Sequence, residues 1–369
     1  MSQAKLKLIE HGISPDHFLP SSKYFLKNNK IKRKNALFVA ETTDLNRKSN
    51  KFQLTINDDE WPSTFTGYRT YLSGIRFVAE ETTGGEQNDQ FKIRSTAQTT
   101  TFATNQRRSA LGLSIEGQSN SNGVATETIL NLGDGDDRIS IKDKFGSLDA
   151  GVFSSQGGVI LMGNGNNRVQ CKGTDIVIEG ELSFGNGKDI LSATGRKDST
   201  SNNLEISGLV HTGDGDDIIE ASKIYISDPG ITEAQDIRNT GIHMGDGDDI
   251  LRVHSKMRFD DYAIYSNGAI QMGAGDDRIE GRLFAHGTGR GDSYPGYGSR
   301  VLTDFGAGHD TLTMTPGTYV VEEKSSKGVY EISQTGGEGW IMDVSGLETF
   351  ESSQTSKHYP FKPGILEII

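Results

Sequence analysis

The residues in this 369-residue chain best suited to chemistry are aspartates set between glycines at a fixed spacing. Leu132 opens the segment Leu-Gly-Asp-Gly-Asp-Asp-Arg-Ile, Met162 opens Met-Gly-Asn-Gly-Asn-Asn-Arg-Val, and Phe184 opens Phe-Gly-Asn-Gly-Lys-Asp-Ile-Leu. Four more copies begin at Thr212, Met244, Met272 and Phe305. Their first glycines, Gly133, Gly163, Gly185, Gly213, Gly245, Gly273 and Gly306, are separated by 30, 22, 28, 32, 28 and 33 residues. Four residues after each first glycine stand Asp137, Asn167, Asp189, Asp217, Asp249, Asp277 and Asp310. One place earlier come Asp136, Asn166, Lys188, Asp216, Asp248, Asp276 and His309, and Asp134, Asp214 and Asp246 lie between the paired glycines of their turns. Carboxylates in glycine-rich turns offer only oxygen ligands, which a hard divalent cation takes from side chains and backbone carbonyls together.

If such turns stack at the spacing of neighbouring strands, about 4.8 Å, each aspartate column sets like charges side by side. A pair at that distance repels by about 0.9 kcal/mol in water and roughly 3.5 kcal/mol at an effective dielectric of 20. A cation between turns removes the repulsion. Calcium suits a cage of carbonyls better than magnesium, which demands a smaller, stricter octahedron and keeps its waters. The candidate calcium ligands are therefore Asp134, Asp136, Asp137, Asp189, Asp214, Asp216, Asp217, Asp246, Asp248, Asp249, Asp276, Asp277 and Asp310. The three successive turns at Gly213, Gly245 and Gly273, with all six aspartates of these two columns present, are expected to be the strongest stretch, and the uncharged turn at Gly163 is expected to hold no ion. The alternative is a metal-free ladder of aspartate and asparagine side chains capping backbone amides. An EF-hand does not fit, because Arg138 falls where a ligand is required and no helical periodicity flanks the loop.

The elements that position these turns are short strands. Three before each first glycine stand Leu130, Ile160, Leu182, Val210, Ile242, Ile270 and Thr303, and one before it Leu132, Met162, Phe184, Thr212, Met244, Met272 and Phe305. The residues between are mostly polar, so alternation of period two leads into every turn. Six after each first glycine comes an aliphatic column, Ile139, Val169, Leu191, Ile219, Leu251, Ile279 and Leu312, which marks a strand leaving the turn. The shortest repeat, 22 residues, has room for three strands and three corners. These features predict an all-β, right-handed parallel β-helix, a solenoid with one Gly-x-Gly-x-Asp turn per rung. Longer repeats add loops at 196–203, 228–239, 257–262 and 286–299, rich in Gly, Ser, Asn and Asp. A worn eighth copy begins at Gly84. The expected organisation is a basic N-terminal segment or cap over 1–50, the β-helix over 51–345, and a C-terminal cap or secretion tail over 346–369.

Composition agrees with a thin structure: 46 glycines, an apolar fraction of 33% and a mean hydropathy of −0.50. The net charge is −12, but residues 1–50 hold ten Lys/Arg against four Asp/Glu, leaving −12 − 6 = −18 on the remainder. An acidic body attracts cations and argues against nucleic acid. The basic stretch 23–34 reads as a solvated flank, although it could touch a polyanion. Cys171 is the only cysteine, so no intrachain disulfide or thiolate cluster forms. Residues 1–20 show no signal-peptide core, and no apolar run reaches 18 residues, so no transmembrane segment is expected.

The turns resemble the hemolysin-type calcium-binding repeats of the RTX family, whose nonapeptide reads Gly-Gly-x-Gly-x-Asp-x-U-x with U a large aliphatic residue. The match covers the segment from Gly133 to Ile139 and its six counterparts. The resemblance implies calcium held between turns of successive coils, and export from a bacterium by type I secretion followed by folding on calcium entry. Two departures matter. The family's first glycine is replaced here by Leu132, Met162, Phe184, Thr212, Met244, Met272 or Phe305, and the repeats are not tandem. Family stoichiometry therefore does not transfer, and ions are expected along one corner at most. The tail from Ile365 to Ile369 is similar to the ends of some type I substrates, and equally to a capping strand.

The leading expectation is a calcium-stabilised, non-enzymatic structural or adhesive module, extracellular or at a bacterial cell surface, with a polysaccharide or cell-surface component as partner. One alternative is a polysaccharide lyase or hydrolase, with Arg258, Tyr262, Arg282, His286, Arg290, Asp292, Tyr294 and Arg300 along a groove. It predicts aromatic and basic residues converging on one outward column. Another alternative is a metal-free solenoid presenting loops to a protein partner. The tripeptide Arg290-Gly291-Asp292 is read as chance, His211 and His243 as a surface ladder, and Trp61 and Trp340 as packing outside the repeats. Nucleophilic triads, phosphate loops and zinc spacings find no support, since each Gly-x-Gly turn leads into a strand.

Overall fold

The computed structural model describes residues 5–10, 23–25, 30–34, 36–40, 51–56, 74–77, 81–95, 111–115, 118–119, 125–144, 150–194, 203–226, 241–254, 269–281, 302–324, 327–335 and 341–369. Among the described residues every element is a strand and none is a helix. The chain divides into two compact units, Met1–Gly185 with Ile190–Asn203, and Asn186–Asp189 with Leu204–Ile369.

In the first unit three sheets are built mainly by parallel pairing. One sheet contains the strands entering the turns, Glu81–Gly85, Thr128–Gly133, Gly158–Leu161 and Glu181–Ser183. A second contains the strands leaving them, Gln90–Ser95, Arg138–Asp143, Arg168–Lys172 and Ile190–Thr194, preceded by Lys30–Lys34 and Lys51–Ile56. The third includes Leu111–Ile115, Ala150–Ser154 and Ile176–Ile178, and has antiparallel pairs only at its start, where Lys5–Glu10 meets Lys23–Phe25 and Ala36–Ala40. From Thr128 to Thr194 the described strands visit the entry, exit and third sheets in turn and then repeat the circuit.

In the second unit Leu204–Ile206 and Ile224–Ile226 pair in the third sheet, and from Gly241 to Met314 the described strands alternate between entry and exit sheets. Leu209–Asp214, Gly241–Asp246, Ala269–Ala274, Leu302–Asp304 and Ile341–Ser345 form its entry sheet, and Ile218–Ala221, Ile250–Val253, Arg278–Gly281, Thr311–Met314 and Thr349–Ser352 its exit sheet. Parallel pairing gives way to antiparallel at the end: Tyr330–Gln334, Gly317–Glu323 and Gly364–Ile368 extend the entry sheet, and His358–Pro360 lies on Thr349–Ser352. Pro360 has no N–H to offer a further strand, which blunts that edge.

The core follows the columns anticipated from the repeats. Ile139 pairs with Phe91 and Val169, and Val169 with Leu191; Ile219 pairs with Leu251, Leu251 with Ile279, and Ile279 with Leu312. All are buried. Residues just before the first glycines are buried as well, from Leu132 and Met162 through Met244, Met272 and Phe305. Ile270 is the exception in the outer entry column, being only partly covered. The worn copy at Gly84 is in register, with Gly85 opposite Gly133 and Phe91 opposite Ile139.

Candidate metal centre

Each turn is tight because its neighbour's backbone lies against it. Gly163 has φ 77° and Gly165 φ 124°, and a Cβ on either would run into the carbonyl of Gly133 or Gly135. In the second unit Gly245, Gly273 and Gly306 abut Gly213, Gly245 and Gly273, and Gly215, Gly247, Gly275 and Gly308 abut Gly187, Gly215, Gly247 and Gly275 in the same way. Positive φ and close approach both select glycine here. The backbone supplies rungs between turns: the N–H of Gly215 donates to the Asp246 carbonyl at 2.6 Å, and that of Gly247 to Ala274 at 2.7 Å.

The structure separates the thirteen predicted ligands into two sets. Asp137, Asp189, Asp217, Asp249, Asp277 and Asp310 are at most 1% exposed. Asp134, Asp136, Asp214, Asp216, Asp246, Asp248 and Asp276 are exposed. In the buried column the Oδ1 atoms of Asp137, Asn167, Asp217, Asp249, Asp277 and Asp310 each accept the main-chain N–H of the equivalent residue in the preceding turn. In the first unit Asp89 donates to Asp137 and Asp137 to Asn167 Oδ1, at 2.5 and 2.9 Å. In the second unit Asp189 donates to Asp217, Asp217 to Asp249, Asp249 to Asp277, and Asp277 to Asp310, at 2.7 to 2.9 Å.

The exposed column points the other way. Asp136 Oδ1 accepts from the N–H of Asn166, Asp216 from Asp248, Asp248 from Asp276, and Asp276 from His309, each in the following turn. Between the glycines, Asp134 Oδ1 accepts from Asn164 Nδ2 at 2.9 Å. Lys188 approaches Asp216 at 3.9 Å.

The second carboxylate oxygens carry the chemistry. The Oδ2 atoms of Asp137, Asp217, Asp249, Asp277 and Asp310 are buried and make no hydrogen bond. Desolvation, opposed by the N–H donor and reinforced by neighbouring carboxylates, pushes Asp137 and Asp249 up to about 8 and Asp310 to about 7. Asp217 and Asp277 rise to about 6, again chiefly through burial. Asn167 shows what these environments need. Its Oδ1 is anchored like the aspartates', while its Nδ2 donates to the carbonyls of Gly163 and Gly165 at 2.8 and 3.3 Å. Where Asn167 has a donor, an aspartate presents a second acceptor. A proton or a metal ion meets that need equally.

Among the described residues no three His, Cys, Asp or Glu side chains converge at metal-ligand spacing. A hard cation here would therefore draw on the buried aspartates one or two at a time, with turn carbonyls completing the set. The orphaned oxygens fit calcium in that sense, and the residues that would hold it are Asp137 in the first unit and Asp217, Asp249, Asp277 and Asp310 in the second, where Asp189 belongs to the same buried column.

Two turn residues lie outside the predicted set. Asp89 occupies the buried column of the worn copy. Glu348 stands after Asp310, its Oε2 accepting the Asp310 N–H at 2.9 Å, in a ninth turn where Gly346 has φ 73° and packs on Gly306. Thr349 and Phe350 pair with Thr311 and Leu312, so this turn is two residues shorter than the others, and a glutamate's extra methylene spans the gap. His211 and His243 are paired in register, with Gln271 next to His243. Burial and the His211 charge lower the His243 pKa. Arg258, Tyr262, Arg282, His286, Arg290, Asp292, Tyr294, Arg300, Trp61 and Trp340 lie outside the described residues.

Comparisons with protein-family models, curated proteins and solved structures return no match.

Proposed function

We propose that the chain is a calcium-stabilised parallel β-helix of the RTX-like kind that acts outside a bacterial cell as a non-enzymatic structural or adhesive module. The repeated circuit through entry, exit and third sheets supports the solenoid reading, and right-handedness follows from the general hand of parallel β-crossovers. The observation that carries the calcium reading is the set of buried, in-register Oδ2 atoms of Asp137, Asp217, Asp249, Asp277 and Asp310, which have no partner. A bound divalent cation would neutralise neighbouring carboxylates in place of the missing donor. The metal-free ladder rests on the same Oδ1 bonds and needs protons on the carboxyls instead.

Thermal unfolding followed by circular dichroism separates the two. With calcium against chelator, the first reading expects a rise equivalent to a few kcal/mol at saturating metal, with a smaller rise in magnesium. Identical melting in calcium and chelator at pH 8, with no calcium uptake by titration calorimetry, would leave the proton-held ladder.

A further inference from the structure

The outward face of the exit sheet in the first unit has one sign of charge. Three columns cross four of its strands, Gln90–Ser95, Arg138–Asp143, Arg168–Lys172 and Ile190–Thr194. The first contains Gln90, Arg138, Arg168 and Ile190, the second Lys92, Ser140, Gln170 and Ser192, and the third Arg94, Lys142, Lys172 and Thr194. Six of these twelve positions are Lys or Arg and none is acidic, in a chain whose net charge is −12. Lys92, Arg94, Arg138, Lys142 and Lys172 are exposed and Arg168 is half-buried. Backbone register sets Lys51 opposite Gln90, and Lys30, Lys32 and Lys34 opposite Lys51, Gln53 and Thr55, so the basic sequence continues along the sheet.

This arrangement is unfavourable for the fold alone. Arg138 pairs directly with Arg168, Arg94 with Lys142, and Lys142 with Lys172, and like charges directly opposite on neighbouring strands destabilise a sheet. None of the six side chains makes an ion pair or hydrogen bond with a described residue, and Arg168 Nε–H is buried without an acceptor. The second unit's exit sheet handles charge differently. There Glu220, Arg252 and Glu280 alternate in sign across paired strands, and Glu280 bridges Arg252 and Arg278 at 2.6 Å each.

The geometry points to a docking face for an extended acidic polysaccharide, its carboxylates or sulfates lying along the columns Arg138–Arg168 and Arg94–Lys142–Lys172. Cations recur at the strand spacing of about 4.8 Å, which matches a linear polyanion laid across the strands. Ser140, Gln90 and Gln170 interleave them with hydroxyl and amide groups suited to sugar hydroxyls. The twelve positions include no aromatic platform for stacking nucleobases. They also present no exposed aliphatic wedge for a lipid surface, Ile190 being partly covered. None of the twelve positions is a carboxylate that would repel an acidic chain. It uses no residue of the aspartate column, and its failure is independent of the calcium reading.

The test is binding of fluorescent polygalacturonate to the full chain in calcium, at low and high ionic strength. Arg138→Gln/Arg168→Gln/Lys172→Gln is compared with Lys327→Gln/Lys357→Gln/Lys362→Gln, which removes the same charge from exposed positions elsewhere. Salt-sensitive binding is expected, weakened roughly tenfold or more in the first variant, a loss of about 1.4 kcal/mol, and little changed in the second. The first variant should melt at the same temperature or higher, because like-charge pairs are relieved. If it fails to fold by circular dichroism, Arg168→Gln alone is read the same way. The inference is overturned if wild type does not bind, if both triple variants lose equally, or if duplex DNA or phosphatidylserine vesicles bind more tightly than polygalacturonate at equal ionic strength.

Discussion

Asp249 holds the main-chain N–H of Asp217 at 2.7 Å through Oδ1, while Oδ2 of the same carboxylate is buried with nothing to bond. One oxygen of the carboxylate is a structural staple and the other is an unmet demand. The stability of the turn column should respond to whatever meets that demand.

Replacing that oxygen with a donor should invert the metal response. Asp249→Asn reproduces the arrangement at Asn167, where Nδ2 reaches turn carbonyls. In chelator at pH 8 the variant should be more stable than wild type by about 1 kcal/mol, since a buried acceptor is satisfied. In saturating calcium it should be less stable, having lost a ligand. Chemical denaturation under both conditions reads the two signs; a variant destabilised in both would show that the carboxylate acts only through Oδ1.

Without metal, acid should stabilise the protein. The folded carboxyls of Asp137 and Asp249 titrate at about 8, Asp310 at about 7, and Asp217 and Asp277 at about 6. The unfolded value is about 3.9. The folded state therefore binds more protons between these values, and this contribution is full below the unfolded value and is lost as pH rises through 6 to 8. In chelator the melting temperature should fall from pH 5 to pH 9, and calcium should flatten the slope. A chelated protein more stable at pH 9 than at pH 5 contradicts the raised values.

Glycine positions should differ sharply in tolerance. Gly273→Ala would drive a methyl into the Gly245 carbonyl at φ 113°, whereas Gly328, with φ 80°, has nothing within contact distance. The first should cost more than about 3 kcal/mol or abolish folding, and the second only the left-handed backbone penalty of about 1–2 kcal/mol. Denaturation midpoints of the two variants provide the comparison.

Cys171 should be silent to thiol reagents in the native protein. Its side chain is 0% exposed, burial pushes the thiol far up, and a Cβ on Gly151 would already press on Sγ. Labelling by a disulfide reagent should follow the rate of unfolding; rapid labelling under native conditions would place the residue elsewhere.

The repeats made the turns, the strands flanking them and most core columns legible, because period-two alternation and glycine spacing recur in every copy. Burial separates Asp136 from Asp137, adjacent residues whose sequence pattern alone puts them in one ligand set. Strand parity separates them, since Asp137 lies an even number of positions from inward Ile139. Glu348 was hidden because its turn lacks the second glycine and is two residues short. The basic exit face was also invisible: Arg138 and Arg168 are 30 residues apart, and a net charge sums over the register that brings them together.

The two side-chain ladders run in opposite senses within each unit, the buried one reaching back and the exposed one reaching forward. A turn already in place therefore presents one open main-chain N–H and one open carboxylate toward each side. Either end of a nucleus is a complementary template, so turns can be added by zippering both upstream and downstream from wherever ordering begins. A mid-array lesion would then interrupt propagation without preventing the segments flanking it from ordering on their own.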